Sequence, residues 1–350
     1  MSDIMVKDFD YFLPSELIAQ TPLEDRSASR LMIVDRREGY VDETLFAHIG
    51  AWLREGDLLV VNDSRVIPAR LLGQKPSGGL VEYLLLEQTG THTWRALVRP
   101  GRRLQPGAEV HFGNGLLTSR IVQRLPEGER EVEFSWEGNQ TFMELLDSLG
   151  QMPLPPYIHE PLQDNERYQT VYSRMEGSAA APTAGLHFTD ALLDDLASKG
   201  IQRASVTLHI GLGTFRPVKE AYVRDHVMHT EAYSLNAQAA EAINKAKREN
   251  RRVIAVGTTS CRVLESIADE QGFVQPTQAS TDIFITPGYT FRCLDGLITN
   301  FHLPQSTLLM LVSALAGQDA MLACYKRAVE SRFRFFSFGD AMFIANHHKV

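Results

Sequence analysis

Cysteine is scarce in this 350-residue chain, with Cys261, Cys293 and Cys324 the three present. They lie far apart, are odd in number and form no C-x-x-C pair. Neither a disulfide framework nor a cysteine-built zinc site is therefore read from them. Long apolar runs are missing too. The longest, LLMLVSALAG at 308–317, falls far short of the ~20 residues that a membrane span requires. The opening MSDIMVKDFDYF has no basic segment leading into an apolar one, so no secretion signal is read there. No internal repeat or low-complexity tract is found. These absences predict a cytoplasmic chain with reduced thiols and no membrane partner.

Positive charge is also in deficit. Lysine plus arginine total 35 against 43 acidic residues, a formal net charge of −8. This weighs against non-specific coating of nucleic acid, which rests on phosphate neutralisation. A local patch can still suffice. Candidates are RPGRR (99–103), KAKRENRR (245–252) and RFRFF (332–336), each of which alone reads as a solvated charge cluster. With 44% hydrophobic residues, the chain has ample material for a core and is long enough for two domains.

Between about Ala69 and Glu137 the pattern is short strands and turns. Val110 and Phe112 share one face, as do Val132, Phe134 and Trp136, with polar residues between. Turn signals recur at SGG, PG, GNG and PEG. This spacing predicts a small barrel or sandwich. Downstream, strands and helices alternate. Helices are predicted in TDALLDDLASKG, NAQAAEAINKAKREN, CRVLESIADEQG and STLLMLVSALAG, and strands in SVTLHI, RVIAV, DIFI and LIT. Leu58–Val61 is an earlier apolar strand. The economical architecture is an α/β domain (1–68 and 151–350) interrupted by an inserted β domain (69–150).

Several motifs fall at predicted strand ends. In LHIGLGTFRPV, Gly211 and Gly213 follow a strand, but Arg216 stands where a dinucleotide fingerprint needs its third glycine. Pro217 then keeps the loop extended. The glycines let backbone approach a ligand closely. VIAVGTTS runs from strand into helix, where Thr258 and Thr259 could meet an anion or simply cap the helix. Asn300 and His302 lie just past one strand; Asn62, Asp63, Arg65 and Arg70 lie past another. Any of these could be a turn former. His226 and His229 lack a third ligand at metal spacing and read as solvated. Phe333 and Phe335 read as the core face of a strand. His187 ends a tight, small-residue turn in APTAGLHFTD.

Taken together, VVNDSRVIPARL, AAPTAGLHFT, LHIGLGTFRPV, VGTTSCRVLES, ITNFHLPQSTLLMLVSA and FFSFGDAMFI follow LPSELIAQTPLEDRSASRLM in order. From about Val6 to Ile344 the chain resembles the S-adenosylmethionine:tRNA ribosyltransferase-isomerase family of the queuosine pathway. It departs from that family's usual pattern at Ile210, Leu212 and Cys261. The resemblance implies an α/β domain with an inserted antiparallel β-barrel. It implies transfer of the ribosyl part of S-adenosylmethionine to 7-aminomethyl-7-deazaguanine at the tRNA wobble position. Rearrangement then gives epoxyqueuosine, and adenine and methionine leave. S-adenosylmethionine is a consumed cosubstrate. No other cofactor and no metal are expected, and a monomer is expected over a stable oligomer.

In that reaction the sulfonium acidifies the ribose 5′ carbon. A base must take its proton and an acid should assist adenine's departure; histidine suits both roles. The resemblance therefore makes His187, His209 and His302 catalytic candidates, with Asp63 next and Asp225 behind it. Gly211, Gly213, Arg216, Thr258, Thr259 and Asn300 are candidates for holding the cosubstrate. Arg65, Arg70, Arg102, Arg103, Arg332 and Arg334 are candidates for holding tRNA. Two competing functions are an S-adenosylmethionine-dependent RNA methyltransferase and a non-catalytic RNA-binding module on the β domain. The missing glycine-rich fingerprint disfavours the first. The wealth of polar residues at strand ends disfavours the second.

Overall fold

The structure, a computed structural model, describes residues 4–211 and 218–347. Gly213 and Arg216 thus lie outside the described residues. The chain divides into two compact units, Met1–Ser64 with Pro156–Met175 and Pro182–Val350, and Arg65–Pro155 with Glu176–Ala181. In chain order the first strands are β1 (Arg30–Asp35), β2 (Gly39–Leu45), β3 (Leu58–Asn62) and β4 (Ser64–Val66). There follow β5 (Arg70–Gln74), β6 (Leu80–Gln88), β7 (Thr93–Arg99), β8 (Glu109–Phe112), β9 (Leu117–Arg124) and β10 (Glu129–Ser135). After α1 (Phe142–Leu149) come β11 (Gly150–Gln151), β12 (Met175–Ser178), α2 (Asp190–Ser198) and β13 (Gln202–Leu208). The last part holds β14 (Glu231–Leu235), α3 (Ala237–Arg248), β15 (Val253–Val256), α4 (Thr258–Ile267) and β16 (Thr277–Thr281). It ends with β17 (Gly296–Asn300), α5 (Thr307–Ala316), α6 (Gln318–Glu330) and β18 (Ala341–Ala345).

In the smaller unit, antiparallel strands run in the order β5-β6-β7-β10-β9-β8, and β8 pairs back onto β5. A closed six-stranded barrel results, which decides between the two architectures that alternation alone allowed. Closure pairs Gly73 with Phe112. A Cβ on Gly73 would lie 2.5 Å from the Phe112 ring, so glycine is what lets the seam close. Val81, Tyr83, Leu85, Val110, Phe112, Val132 and Phe134 fill the interior, as period-two patterning requires. Helix α1 adds Phe142, Leu145 and Leu146 to the same core. Its start is fixed by reciprocal bonds between Thr141 and Glu144.

The larger unit is built on one sheet in the order β16-β14-β13-β3-β15-β17-β18-β1-β2. Strands β13, β3, β15 and β17 are mutually parallel. Along the chain β3 comes first, β13 second, β15 third and β17 fourth, so the order reverses between β3 and β15. Residues of β3, β15 and β17 are buried throughout, as continuous apolar strands of a covered parallel sheet should be. The helix starts follow local capping chemistry: Thr189 caps α2, Asn236 caps α3 and Ser306 caps α5, each accepting a backbone N–H.

Two sequence expectations fail for local reasons. DIFI is not a strand. The ladder stops at Thr281, whose Oγ1 accepts from the Ile283 N–H at 3.1 Å and turns the chain away. Phe333 and Phe335 are fully buried, but their segment is irregular apart from one bridge between Ile18 and Phe335. Arg332 sits at φ 55° there, which no strand tolerates. Among the described residues, no single helix is long and apolar enough to cross a membrane.

Candidate active site

The carboxyl ends of β3, β13, β15 and β17 gather the polar motifs. Asn62, at the end of β3, is fully buried. Its Nδ2 donates to the Leu208 carbonyl at 3.0 Å, and its Oδ1 accepts from the N–H groups of Leu208 (3.0 Å) and Ser64 (3.1 Å). An amide both donates and accepts, which a carboxylate at this position could not. Asn62 Nδ2 also lies 3.4 Å from Thr259 Oγ1, so it spans the point where strand order reverses. Beside it, buried Asp63 accepts from Thr207 Oγ1 and Arg174 Nε, each at 2.7 Å.

Across the reversal, Gly257 takes φ 88° and donates to the Ile298 carbonyl at 2.8 Å. Neither Thr258 nor Thr259 caps α4. Both occupy its first turn, and Gly257 is the cap residue, with no side-chain cap bond. The first-turn amides of a helix have no partner within it and favour anions. Ser260 Oγ is buried there without a hydrogen bond.

The three candidate histidines differ in what their rings already do. His187 is buried between Ser29 Oγ, 2.7 Å from Nδ1, and Asn300 Nδ2, 3.1 Å from Nε2. The Asn300 amide donates, so Nε2 is an acceptor and Nδ1–H donates to Ser29. Phe46 stacks on the ring at 4.9 Å. Burial, with Arg334 and Arg26 nearby, pushes its pKa down to about 3. His302 is likewise pushed down to about 3 by burial, and its Nε2 meets Thr299 Oγ1 at 3.0 Å. Both are neutral, engaged rings. His209 is only partly buried, and its Nδ1 has no hydrogen-bond partner among the described residues. Burial lowers its pKa, and the Asp63 charge opposes that shift.

Both ends of the Asn300 amide are engaged. It donates to the Phe336 carbonyl and His187 and accepts from Thr183. Gly211 spends its N–H on Glu231 Oε1 at 3.1 Å, and its Cα faces open space. Asp225 is exposed, 3.7 Å from Arg224. Among the arginines, Arg65 is half-buried on β4, and Arg70 makes two 3.1 Å bonds to Glu82. Arg102 and Arg103 are exposed on a turn held by the buried Arg130 guanidinium, which donates to the carbonyls of Gly101, Leu104, Gly128 and Glu129. Arg332 is exposed, and Arg334 is half-buried.

Sequence reasoning missed the pair Glu231–Arg262, both buried and in direct contact. His229 is not simply solvated: its Nε2 meets Glu231 at 3.2 Å, and His226 meets Glu220 at 3.0 Å. Burial raises the Glu231 pKa, but bonds from His229, Arg262 and Gly211 outweigh this and lower it overall. Arg262 stands inside the motif VGTTSCRVLES, one helical turn past Thr258, and that spacing was the available signal. Glu265, a turn further, is buried and accepts from the N–H groups of Arg292, Cys293 and Leu294. No group of three or more His, Cys, Asp or Glu among the described residues could hold a metal ion.

Comparison with known proteins places this geometry in a family. The family model described as "Queuosine biosynthesis protein" matches residues 6–344. The S-adenosylmethionine:tRNA ribosyltransferase-isomerase of Caldanaerobacter subterraneus subsp. tengcongensis is 55% identical, covering 96% of this chain and 98% of that one. The protein of the same name from Acetivibrio thermocellus is 54% identical over 97% and 99%. A crystal structure of S-adenosylmethionine tRNA ribosyltransferase from Thermotoga maritima is 36% identical, with a TM-score of 0.54, over 96% of this chain and 99% of that one. The chain that buries Asn62 and Asp63 at its strand reversal therefore belongs to the queuosine biosynthesis family.

Proposed function

We propose that the strand-end site of the α/β unit binds S-adenosylmethionine and that His209 is the base that starts ribosyl transfer. The chain is a transferase of queuosine synthesis. It transfers and isomerises the ribosyl moiety of S-adenosylmethionine onto 7-aminomethyl-7-deazaguanine of tRNA, releasing adenine and methionine. The observation that carries the site is the strand reversal between β3 and β15, where open α/β sheets bind ligands. Asn62 and Thr259 span it. The first turn of α4, with Thr258 and Thr259, suits the carboxylate of the cosubstrate.

The choice of His209 rests on unspent hydrogen-bonding capacity. His187 has both ring nitrogens committed and His302 has Nε2 committed, whereas His209 Nδ1 has no partner among the described residues. A lowered pKa keeps His209 neutral and able to accept a proton at neutral pH. The imidazolium formed would then gain from the Asp63 carboxylate, which Thr207 and Arg174 hold in place. His187 acts as a positioning residue for Asn300 and Ser29.

The test is single-turnover release of adenine and methionine from S-adenosylmethionine with tRNA carrying the modified base. His209→Ala should lower the rate about 10²- to 10⁴-fold, the usual loss for a general base, with its melting temperature held. Full turnover in that variant would remove His209 from the mechanism. S-adenosylhomocysteine in place of adenine would overturn the reaction itself.

A further inference from the structure

A concave site in the α/β unit lies beside His187 and Ser29. It is lined by Arg26, Ser29, Arg167, His187 and the Ser337–Gly339 segment. Arg26 donates to the carbonyls of Gln169 and Glu166, both at 2.7 Å. Arg167 donates to the Leu23 carbonyl, and Arg334 donates to that of Thr21. Thr21 adjoins the lining residues Pro22 and Leu23. Arg334 Nη1 is buried with no hydrogen-bond partner among the described residues.

The guanidinium bonds made here go to neutral carbonyls. No ion pair to Arg26, Arg167 or Arg334 is found among the described residues. Asp164, Glu166 and Asp190 act on Arg26 from farther off, and Asp340 acts on Arg334. Burial disfavours the charge on Arg26 and Arg334, and Arg167 adds to this at Arg26. Arg26 and Arg167 thus repel each other, and Arg26 and Arg334 both act on the His187 ring that lines the pocket, in a chain of net charge −8. An anion in the pocket would relieve the repulsion between Arg26 and Arg167.

We propose that this pocket holds one backbone phosphate of the RNA substrate through Arg26, Arg167 and Arg334. Planar guanidinium forks match phosphate oxygens two at a time, and charge-assisted bonds of this kind are the strong ones. The cosubstrate fits less well. It carries a sulfonium and an ammonium beside its carboxylate, and a cationic wall repels both. Ser29 links the pocket to the strand-end site: its hydroxyl lines the pocket and accepts from His187, whose other nitrogen accepts from Asn300. The inference rests on the reading that RNA is the substrate.

The test measures binding of an unmodified tRNA transcript across a salt series, with no turnover required. Arg26→Gln, Arg167→Gln and Arg334→Gln should each weaken binding about 10-fold and flatten the logarithmic salt slope by about one. The Michaelis constant for S-adenosylmethionine should stay within about 2-fold. Arg167→Lys, which keeps the charge, should keep the slope and serves where a glutamine variant fails to fold. Wild-type tRNA affinity and slope in variants that still melt as the parent does would overturn the proposal. So would a raised constant for S-adenosylmethionine with tRNA affinity intact, because the pocket would then take the carboxylate. The two readings fail separately. Adenine release with wild-type tRNA affinity in every variant sinks the phosphate pocket alone. Weakened tRNA binding without any adenine release by the parent sinks the ribosyl-transfer reading alone.

Discussion

On the barrel, Arg70 meets Glu82, Arg95 meets Glu87 and Glu129, and Arg120 meets Glu133, most of these side chains being well exposed. In the α/β unit the pairs Arg252–Asp57 and Arg262–Glu231 are buried. The interiors differ in the same sense. The buried polar side chains described in the barrel unit are Ser119, Arg130 and Ser178, whereas the α/β unit buries Asn62, Asp63, His187, Thr258, Thr259, Asn300 and His302 among others. Burying a polar group is costly unless it is bonded. The barrel avoids most of that cost by filling itself with apolar side chains. The α/β unit accepts the cost at both ends of its parallel strands, and the polar motifs Asn62, Thr258, Thr259 and Asn300 gather at the carboxyl end.

The largest expected effect tests the buried pair. Arg262→Met leaves Glu231 buried and without its guanidinium partner. Breaking such a pair should cost about 3–5 kcal/mol, read as a fall in the urea midpoint. Replacing both together, as Arg262→Met with Glu231→Leu, should restore much of the loss, because the stranded charge is gone. If the single variant unfolds at the parent's midpoint, the contrast between buried and exposed pairs collapses.

An effect of comparable size concerns acid. His187 and His302 ordinarily titrate near 6.5 and are pushed down to about 3 when folded. Between those values the unfolded chain binds protons that the folded chain does not. Stability is therefore full above pH ~6.5 and falls as pH drops, by about 1.4 kcal/mol per unit for each imidazole. Hydrogen exchange at pH 7 and pH 5 should show α/β amides losing protection before barrel amides. Earlier loss from the barrel would reverse the comparison.

Much of this was legible locally. Thr189, Asn236 and Ser306 announce their helices because a cap and its amide are three residues apart. Val110, Phe112, Val132 and Phe134 announce a barrel wall because a strand has period two. Partnerships across the fold carry no such mark. Ser29 and His187 are 158 positions apart and Asn300 and His187 are 113 apart. Three histidines in matching motifs look alike until the ring nitrogens are counted, and only the fold says whose are spent. Arg26 and Arg167 escaped notice as a pair for the same reason, since topology alone brings them to one pocket. DIFI shows the opposite limit: its composition suits a strand, but the hydroxyl of the threonine just before it ends the ladder.

The smallest effect belongs to the barrel surface. Arg120 and Glu133 sit directly opposite on β9 and β10, 3.0 Å apart, with side chains 61% and 46% exposed. Water screens such a pair, and holding two long side chains in one geometry costs rotamer entropy. Cross-strand pairs of this kind contribute about 0.2–1 kcal/mol. Arg120→Ala should therefore shift the urea midpoint barely measurably, and less still in high salt. Arg130, on the neighbouring strand, carries the same charge but is buried and satisfied by four carbonyls. Arg130→Met should loosen the turn that carries Arg102 and Arg103 and cost clearly more than Arg120→Ala. Equal costs for the two would mean that burial is not what separates these arginines, and the division between barrel surface and α/β interior would have to be drawn on other grounds.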